Sequence, residues 1–150
     1  MTEAAPAAAP QILLQKIYLK DASLEIPLAP QVFTRQWQPQ VDVQMSTGLQ
    51  NLSGEQHQVV LSMTVTAKLD QDVAFLAEVQ QAGIFLVRGV PNENDRKRVL
   101  GADCPNILYP FAREAVAELI SRGGFPQLLL QPVDFAGLYQ EHLRSEAQRH

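Results

Sequence analysis

The side chains most able to carry out chemistry in this sequence are one cysteine and three histidines. Cys104 begins the segment CPNILYPFARE (residues 104–114), and His57, His142 and His150 are far apart along the chain. A zinc site normally combines closely spaced thiolates and imidazoles, and a reactive thiol needs a neighbouring charge that lowers its pKa. Neither pattern is present, so we interpret Cys104 as a small buried hydrophobe and predict no metal site.

Motifs for nucleotide or acyl chemistry are missing as well. The sequence contains no phosphate-binding glycine loop, no dinucleotide fingerprint and no nucleophile elbow. We therefore expect no cofactor, no nucleotide-driven cycle and no enzymatic activity. An enzyme would need a pocket that brings Cys104 together with a histidine and a carboxylate, and the sequence offers no such cluster.

Charge and hydropathy narrow the class of partner. The 150 residues carry 12 basic and 16 acidic side chains, which gives a net charge of −4. Surfaces that bind nucleic acid or anionic lipid are normally basic, so neither is an expected partner. The N-terminus lacks the basic and apolar regions of a signal peptide, and no apolar run approaches the ~20 residues of a membrane span. These features predict a cytoplasmic protein without membrane insertion.

Alternating apolar residues predict four strands in the first part of the chain. Apolar side chains recur at every second position in four runs, which begin at Leu13, Val41, Val59 and Val73. Alternation of this kind places one face against a core and leaves the other in solvent. Such strands are typical of an antiparallel sheet with a single covered face.

The first of these strands is expected to be irregular. Leu13, Ile17 and Leu19 share one phase of the alternation, whereas Leu24 has the other phase. One extra residue near 21–23 would return all four side chains to the same core face, so a bulge is predicted near that segment.

A proline-rich connection follows the first strand. Pro27, Pro30 and Pro39 fix their own backbone angles and remove strand hydrogen-bond donors, so this segment is not a central strand. We predict that it crosses over the sheet. It also contains Phe33 and Trp37, which suit either the core or an exposed groove, and the residues alone do not decide between the two.

The second half of the chain is predicted to be helical. After residue 91 the apolar period changes from two to between three and four. Pro110 indicates that the regular helix begins or kinks there, and Gly123 with Gly124 supplies a terminator. Asp134 is the expected N-cap of a second helix.

Together these elements predict an α+β fold: a four-stranded antiparallel sheet with a long helix and a shorter C-terminal helix. Residues 1–10 are almost entirely small or polar and are assigned to a disordered tail. Residues 11–145 form one predicted domain, and residues 146–150 form a flexible C-terminus.

Six segments, taken in order along the chain, fit one family pattern. They are YLKD (18–21), WQP (37–39), EVQQAGIF (78–85), CPNILYPFARE (104–114), RGGFP (122–126), and PVDF with the following LY (132–139). Together they resemble the SecB family. The resemblance covers roughly residues 11–145, and the first half of 88–103 departs from the family pattern. SecB proteins are homotetrameric chaperones that hold unfolded preproteins for export.

The resemblance implies an assembly and a function. Two four-stranded sheets are expected to pair into an eight-stranded dimer, and two dimers to pack through the long helix at 110–122. Such a dimer of dimers would be an ATP-independent holding chaperone. It would keep unfolded preproteins competent for translocation and deliver them to SecA, the export motor ATPase. The alternative is a SecB-like chaperone dedicated to a single client, such as an antitoxin.

The resemblance also implies a docking surface for the motor. Carboxylates on strands are by default simply solvated. In the family, however, a flat exposed sheet surface receives the small, basic, zinc-bearing C-terminal segment of SecA. The matching positions are Asp21, Glu25, Leu76 and Glu78. Because the zinc belongs to the partner, this chain need not bind metal.

Client polypeptide is expected elsewhere, along apolar grooves. In SecB-like proteins these grooves are bordered by the crossover connection and by the second helix with its preceding loop. The resemblance implies eight candidates for client contact, some of which must also pack the core: Val32, Phe33, Trp37, Phe125, Leu128, Leu130, Leu138 and Tyr139.

Overall fold

The computed structural model describes residues 9–149. The strands are β1 (Gln11–Glu25), β2 (Gln40–Ser53), β3 (Gln56–Leu69) and β4 (Asp72–Arg88). The helices are α1 (Glu93–Arg98), α2 (Cys104–Arg122) and α3 (Phe135–Arg149), and a π-helical turn at Val99–Asp103 joins the first two. Most of the predicted tail at 1–10, and the last residue of the predicted C-terminal segment at 146–150, lie outside the described residues. The α+β prediction is confirmed.

The four strands form one antiparallel sheet in the order β1-β4-β3-β2. Since β1 and β2 lie at opposite edges, the connection between them at residues 26–39 must pass over β3 and β4. The predicted crossover is therefore confirmed. A short 3₁₀ helix at Gln31–Thr34 forms its middle.

The two faces of the sheet differ sharply in burial. On the face that α2 covers, here called the inner face, Val59, Leu61, Met63 and Val65 of β3 are fully buried. The opposite or outer face carries the intervening polar side chains of β3, such as Thr64. The alternation expected from the sequence is confirmed, and it follows from covering one side of a pleated sheet.

The bulge predicted for β1 is present one residue before the expected segment. The pairing of β1 with β4 skips Lys20, because Leu19 lies opposite Gln81 and Asp21 lies opposite Gln80. A bulge disturbs the ladder locally, so nearby backbone groups need other partners. The buried Gln81 side chain provides one by donating from Nε2 to the carbonyl oxygen of Tyr18 at 3.0 Å.

A second bulge in β1, at Gln15, was not predicted. Leu14 lies opposite Phe85 and Lys16 lies opposite Ile84, so Gln15 is the extra residue. This insertion places Leu14 on the inner face. The expectation that Leu13 shares that face with Ile17 is therefore wrong.

The long helix starts earlier than Pro110. Pro110 lies inside α2, which begins at Cys104 with Pro105 in its first turn. A proline inside a helix costs about 3 kcal/mol through a lost hydrogen bond and steric crowding. Leu108 and Ala112, on either side of Pro110, are fully buried against the sheet side of the fold. Their burial offsets the cost, so the helix continues through the proline.

The predicted ends of the helices are confirmed. At the end of α2, Phe125 N–H donates to Ile120 O at 3.2 Å and Gly124 N–H donates to Ser121 O at 3.0 Å. With Gly124 at φ +84°, this is the Schellman arrangement. At the start of α3, Asp134 Oδ1 accepts from Gly137 N–H at 3.1 Å, as an N-cap does.

The left-handed backbone at Gly124 leads to a stability prediction. Gly124→Ala is expected to lower the free energy of unfolding by about 1–2 kcal/mol, because a Cβ is disfavoured at positive φ. Urea unfolding at a fixed protein concentration measures the change. Gly48→Ala is the matched control, since Gly48 lies in β2 with open space around its Cα. Equal destabilisation by both substitutions would contradict the assignment.

Candidate functional site

The outer face brings together the four residues implied as a motor-docking surface. In the β1–β4 register, Glu25 lies directly opposite Leu76, Ser23 lies opposite Glu78, and Asp21 lies opposite Gln80. Directly opposed residues project to the same side of a sheet. Asp21, Glu25, Leu76 and Glu78 therefore form one patch, here called the acidic patch.

The acidic patch is exposed and carries three negative charges. Glu78 lies diagonal to both Asp21 and Glu25, a spacing of about 7–8 Å between Cα atoms in an antiparallel pair. All three carboxylates are exposed, and Leu76 is half-buried between them. Within residues 9–149, none of the three has an ion-pair partner. The patch is thus available to a cationic surface with a small apolar contact.

On the opposite side, aromatic rings cluster beyond the C-terminal end of α2. Phe125 lies at the centre, with ring centroids 4.9 Å from Phe75, 5.1 Å from Trp37 and 5.2 Å from Phe33. We call these four residues the aromatic cluster. The Schellman turn directs Phe125 into it, and the crossover supplies Phe33 and Trp37. Phe33 remains 50% exposed.

An ion pair fixes the crossover on this cluster. Arg35 Nη1 lies 2.9 Å from Asp72 Oδ2, and Arg35 Nη2 lies 3.5 Å from Asp70 Oδ2. Asp70 belongs to the turn between β3 and β4, and Asp72 is the first residue of β4. The same guanidinium donates to the carbonyl oxygen of Leu69 at 3.4 Å. These contacts attach the crossover to the sheet beside the aromatic cluster. They lie at the surface, where a single ion pair adds little stability.

The segment between α2 and α3 returns along the helical layer towards the start of α2. Leu130 is buried in the core, and the hydroxyl of Tyr109 donates to the carbonyl oxygen of Gln131. Tyr109 also meets Phe135 edge-to-face, with ring centroids 5.6 Å apart. These contacts bring the start of α3 close to the first half of α2.

An apolar cleft of about 440 Å³ lies between α3 and the inner face of β2. Leu138 and Tyr139 line its α3 side, together with Phe135 and His142, and Gly101 of the π-turn is at the base. The other wall consists of β2 and β3 residues: Met45, Ser46, Thr47, Leu49 and Leu61. We call this cavity the α3 cleft.

The inner face of β2 connects the aromatic cluster to the α3 cleft. Val41, Val43 and Leu49 lie opposite buried β3 residues and therefore face inward, yet each is exposed. The strand begins just after Trp37 and passes the cleft at Met45. At about 3.3 Å per residue, the stretch from Val41 to Leu49 is roughly 26 Å long. It forms an exposed apolar strip long enough for an extended peptide.

The eight client candidates differ in accessibility. Val32, Phe125 and Leu130 are buried, so in this chain they support the surface from beneath. Phe33 and Leu138 are exposed, whereas Trp37, Leu128 and Tyr139 are half-buried. Phe33, Trp37 and Phe125 lie in the aromatic cluster. Leu138 and Tyr139 line the α3 cleft, and the other three candidates belong to neither place. The sequence reasoning missed the β2 strip and Gly101, because the order of the strands decides which apolar face remains uncovered.

Titratable groups give little support for catalysis. Burial, followed by the negative charge of Asp103, raises the pKa of Cys104 from 9.0 to about 12. Burial and the positive charge of Arg96 lower the pKa of His57, which lies near the β2–β3 turn. In the stretch from 9 to 149, no three His, Cys, Asp or Glu side chains are grouped as metal ligands would be. None of the helices in that stretch is long and apolar enough to cross a membrane.

Comparison with known proteins identifies the family. The family model described as preprotein translocase subunit SecB matches residues 5–146. The protein-export protein SecB of Pseudomonas fluorescens (strain SBW25) is 49% identical over 143 residues, covering 95% of this chain and 89% of the relative. The chain belongs to the SecB family. A second SecB, from Hydrogenovibrio crunogenus, is 47% identical and covers 92% of each chain.

The fold agrees with a solved SecB-like structure. A Mycobacterium tuberculosis SecB-like chaperone, in complex with a ChAD peptide from an antitoxin, superposes with a TM-score of 0.66. The match covers 81% of this chain and 87% of that one, at 20% sequence identity. At this identity the likeness shows the SecB-like fold alone.

The environment of Cys104 predicts low thiol reactivity. At pH 8 the thiol remains protonated and buried, so it is expected to react with an aromatic disulfide reagent far more slowly in the folded protein than in urea. The unfolded thiol ionises near pH 9 while the folded thiol keeps its proton. The free energy of unfolding should therefore fall as pH rises from about 9 to about 12, less steeply in Cys104→Ala. Rapid labelling of the folded protein would contradict this account.

Proposed function

We propose that this SecB-family chain is an ATP-independent holding chaperone for preprotein export. It acts in the cytoplasm, keeps unfolded preproteins competent for translocation and delivers them to SecA. The observation that carries the proposal is the separation of two surfaces on one sheet. An apolar strip with aromatic ends lies on the inner face, and the acidic patch lies on the outer face. Membership of a family whose relatives are named protein-export proteins supports the same function.

The inner face is the proposed client surface. An unfolded polypeptide exposes apolar side chains, and burying one is worth roughly 1.5–3 kcal/mol before the cost of ordering it. Phe33, Leu49 and Leu138 are about half exposed and mark the two ends of the strip. A client segment of about eight residues reaches from one end to the other. One such segment binds weakly, which suits a chaperone that must later release its client.

Oligomerisation is the proposed means of raising affinity. We infer a homotetramer built as a dimer of dimers. Among residues 9–149 neither edge strand, β1 or β2, has a second neighbour, and Phe111 of α2 is exposed. Sheet pairing and packing through α2 would use such surfaces. Several linked grooves on one long client raise the apparent affinity by about 10² to 10⁴.

The acidic patch is the proposed docking surface for SecA. Three exposed carboxylates around a half-buried leucine complement a small basic surface such as its zinc-bearing C-terminal segment. Because the patch lies on the outer face, the motor and the client bind on opposite sides of the sheet. Release of the client would follow from docking on the motor and would require no ATP hydrolysis by this chain.

Selection among clients is proposed to be kinetic. At about 10 μM chaperone and an association rate constant of ~10⁵–10⁷ M⁻¹s⁻¹, an unfolded client is captured at a rate of roughly 1–100 s⁻¹. Polypeptides that fold faster escape, and slowly folding preproteins are held. A chaperone dedicated to one client, such as an antitoxin, would instead bind a single sequence. Retardation of several unrelated unfolded proteins distinguishes the two.

Charge reversal tests the docking surface. Asp21→Lys, Glu25→Lys and Glu78→Lys are each expected to weaken binding of SecA about tenfold, because attraction becomes repulsion. They should leave the retardation of client refolding unchanged. Asp42→Lys is the matched control, since Asp42 is also an exposed carboxylate on the outer face but lies on β2. Loss of motor and client binding together would contradict the two-surface proposal.

Two leucines of α3 test the client surface. Leu138 and Leu143 are equally exposed, at 46%, but only Leu138 lines the α3 cleft. Leu138→Ser is expected to weaken binding of an unfolded client by about tenfold per cleft, which corresponds to about 1.4 kcal/mol of apolar burial. Leu143→Ser should bind as the parent protein does. The measurement is the refolding rate of a slow client at tetramer excess, and an unretarded rate with the parent protein would contradict the holding role.

A further inference from the structure

An irregular turn between α1 and α2 forms part of the lining of the α3 cleft. Between α1 and α2, the π-helical turn makes the Cys104 N–H donate to the carbonyl oxygen of Val99, five residues back. A π-turn is wider than an α-turn and occurs frequently at functional sites. Val99, Leu100 and Ala102 are buried, whereas Gly101 is half-buried and lines the cleft.

Gly101 lies against one edge of the Tyr139 ring, formed by Cδ2 and Cε2. A Cβ atom placed on Gly101 would lie 2.8 Å from Tyr139 Cε2 and 2.9 Å from Tyr139 Cδ2. Real Cβ atoms essentially never approach another heavy atom below 3.0 Å. This edge of the ring therefore occupies the space that a Cβ at 101 would need, and no other residue type at 101 permits the same contact.

This contact determines the height of α3 above the sheet. The helix packs chiefly against the π-turn, so the distance between Gly101 and the Tyr139 ring fixes how closely α3 approaches β2. Leu138, which directly precedes Tyr139, lines the α3 side of the cleft, and Met45 and Leu49 of β2 line the other side. A tyrosine ring is rigid, so extra bulk against its edge must displace α3 or turn the ring.

We propose that Gly101 is a specificity-determining residue that sets the width of the α3 cleft, and hence the size of the client side chain the cleft accepts. The inference rests on the proposed client-holding function. With glycine at 101, the cleft admits medium-sized aliphatic side chains. A larger residue at 101 lifts Tyr139 and α3 away from β2, and the cleft then favours a bulkier aromatic side chain.

Two extended peptides that differ at one central position, valine or tryptophan, test this proposal on the full chain. Fluorescence anisotropy gives the ratio of their dissociation constants. Gly101→Ala is expected to shift this ratio by at least threefold in favour of tryptophan. Gly48→Ala, which adds a methyl group in open space on β2, should leave the ratio unchanged. An unchanged ratio in Gly101→Ala, or a shift towards valine, overturns the proposal.

A second variant keeps the test decisive if Gly101→Ala does not fold. Tyr139→Trp enlarges the ring on the same glycine and should shift the ratio in the same direction, and no shift would overturn the proposal. In a Tyr139→Ala background, adding Gly101→Ala should change neither the ratio nor the melting temperature, because the clash is gone.

If the folded parent protein binds neither peptide, the proposed function fails together with the inference. If it binds both and only the shift is missing, the inference alone fails.

Discussion

In the described part of the chain, residues 9–149, helices cover the sheet on one face only, and both candidate binding surfaces depend on that constraint. Successive side chains of a strand point to opposite faces of the sheet. Because α2 packs on the inner face of β3 and β4, their outer face remains in solvent. The acidic patch occupies that free face. The helical layer covers the inner face of β2 only in part, which leaves an apolar strip exposed. Two chemically different surfaces therefore arise from one packing arrangement.

Local irregularities then place the individual side chains. The bulge at Lys20 restores the phase of β1, so that Asp21 and Glu25 project to the same side as Glu78. The Schellman turn after α2 directs Phe125 into the aromatic cluster, and the π-turn presents Gly101 to Tyr139. Each irregularity departs from ideal geometry beside a residue of a candidate site. Departures of this kind are expected at sites that a regular element cannot build.

Sequence reasoning predicted most of the architecture because the signals were local. Alternation marked the strands, Gly123 with Gly124 marked the end of α2, and Asp134 marked the start of α3. It was wrong about Leu13, because nothing in the residues indicates the extra bulge at Gln15. It named Leu138 and Tyr139 of the α3 cleft but missed the β2 strip, since only the strand order shows that the inner face of β2 stays partly uncovered. The burial of Val32 and Leu130 likewise depends on tertiary packing.

Hydrogen exchange with an unfolded client bound tests the central claim most directly. The account predicts slower exchange in the crossover, in β2 around Met45 and in the first turns of α3. It predicts an unchanged exchange rate at Asp21–Glu25 of β1. When the basic zinc-bearing segment of SecA is bound instead, exchange should slow at Asp21–Glu25 and stay unchanged in the crossover, β2 and α3. Protection of the same strands by both partners would contradict the existence of two separate surfaces.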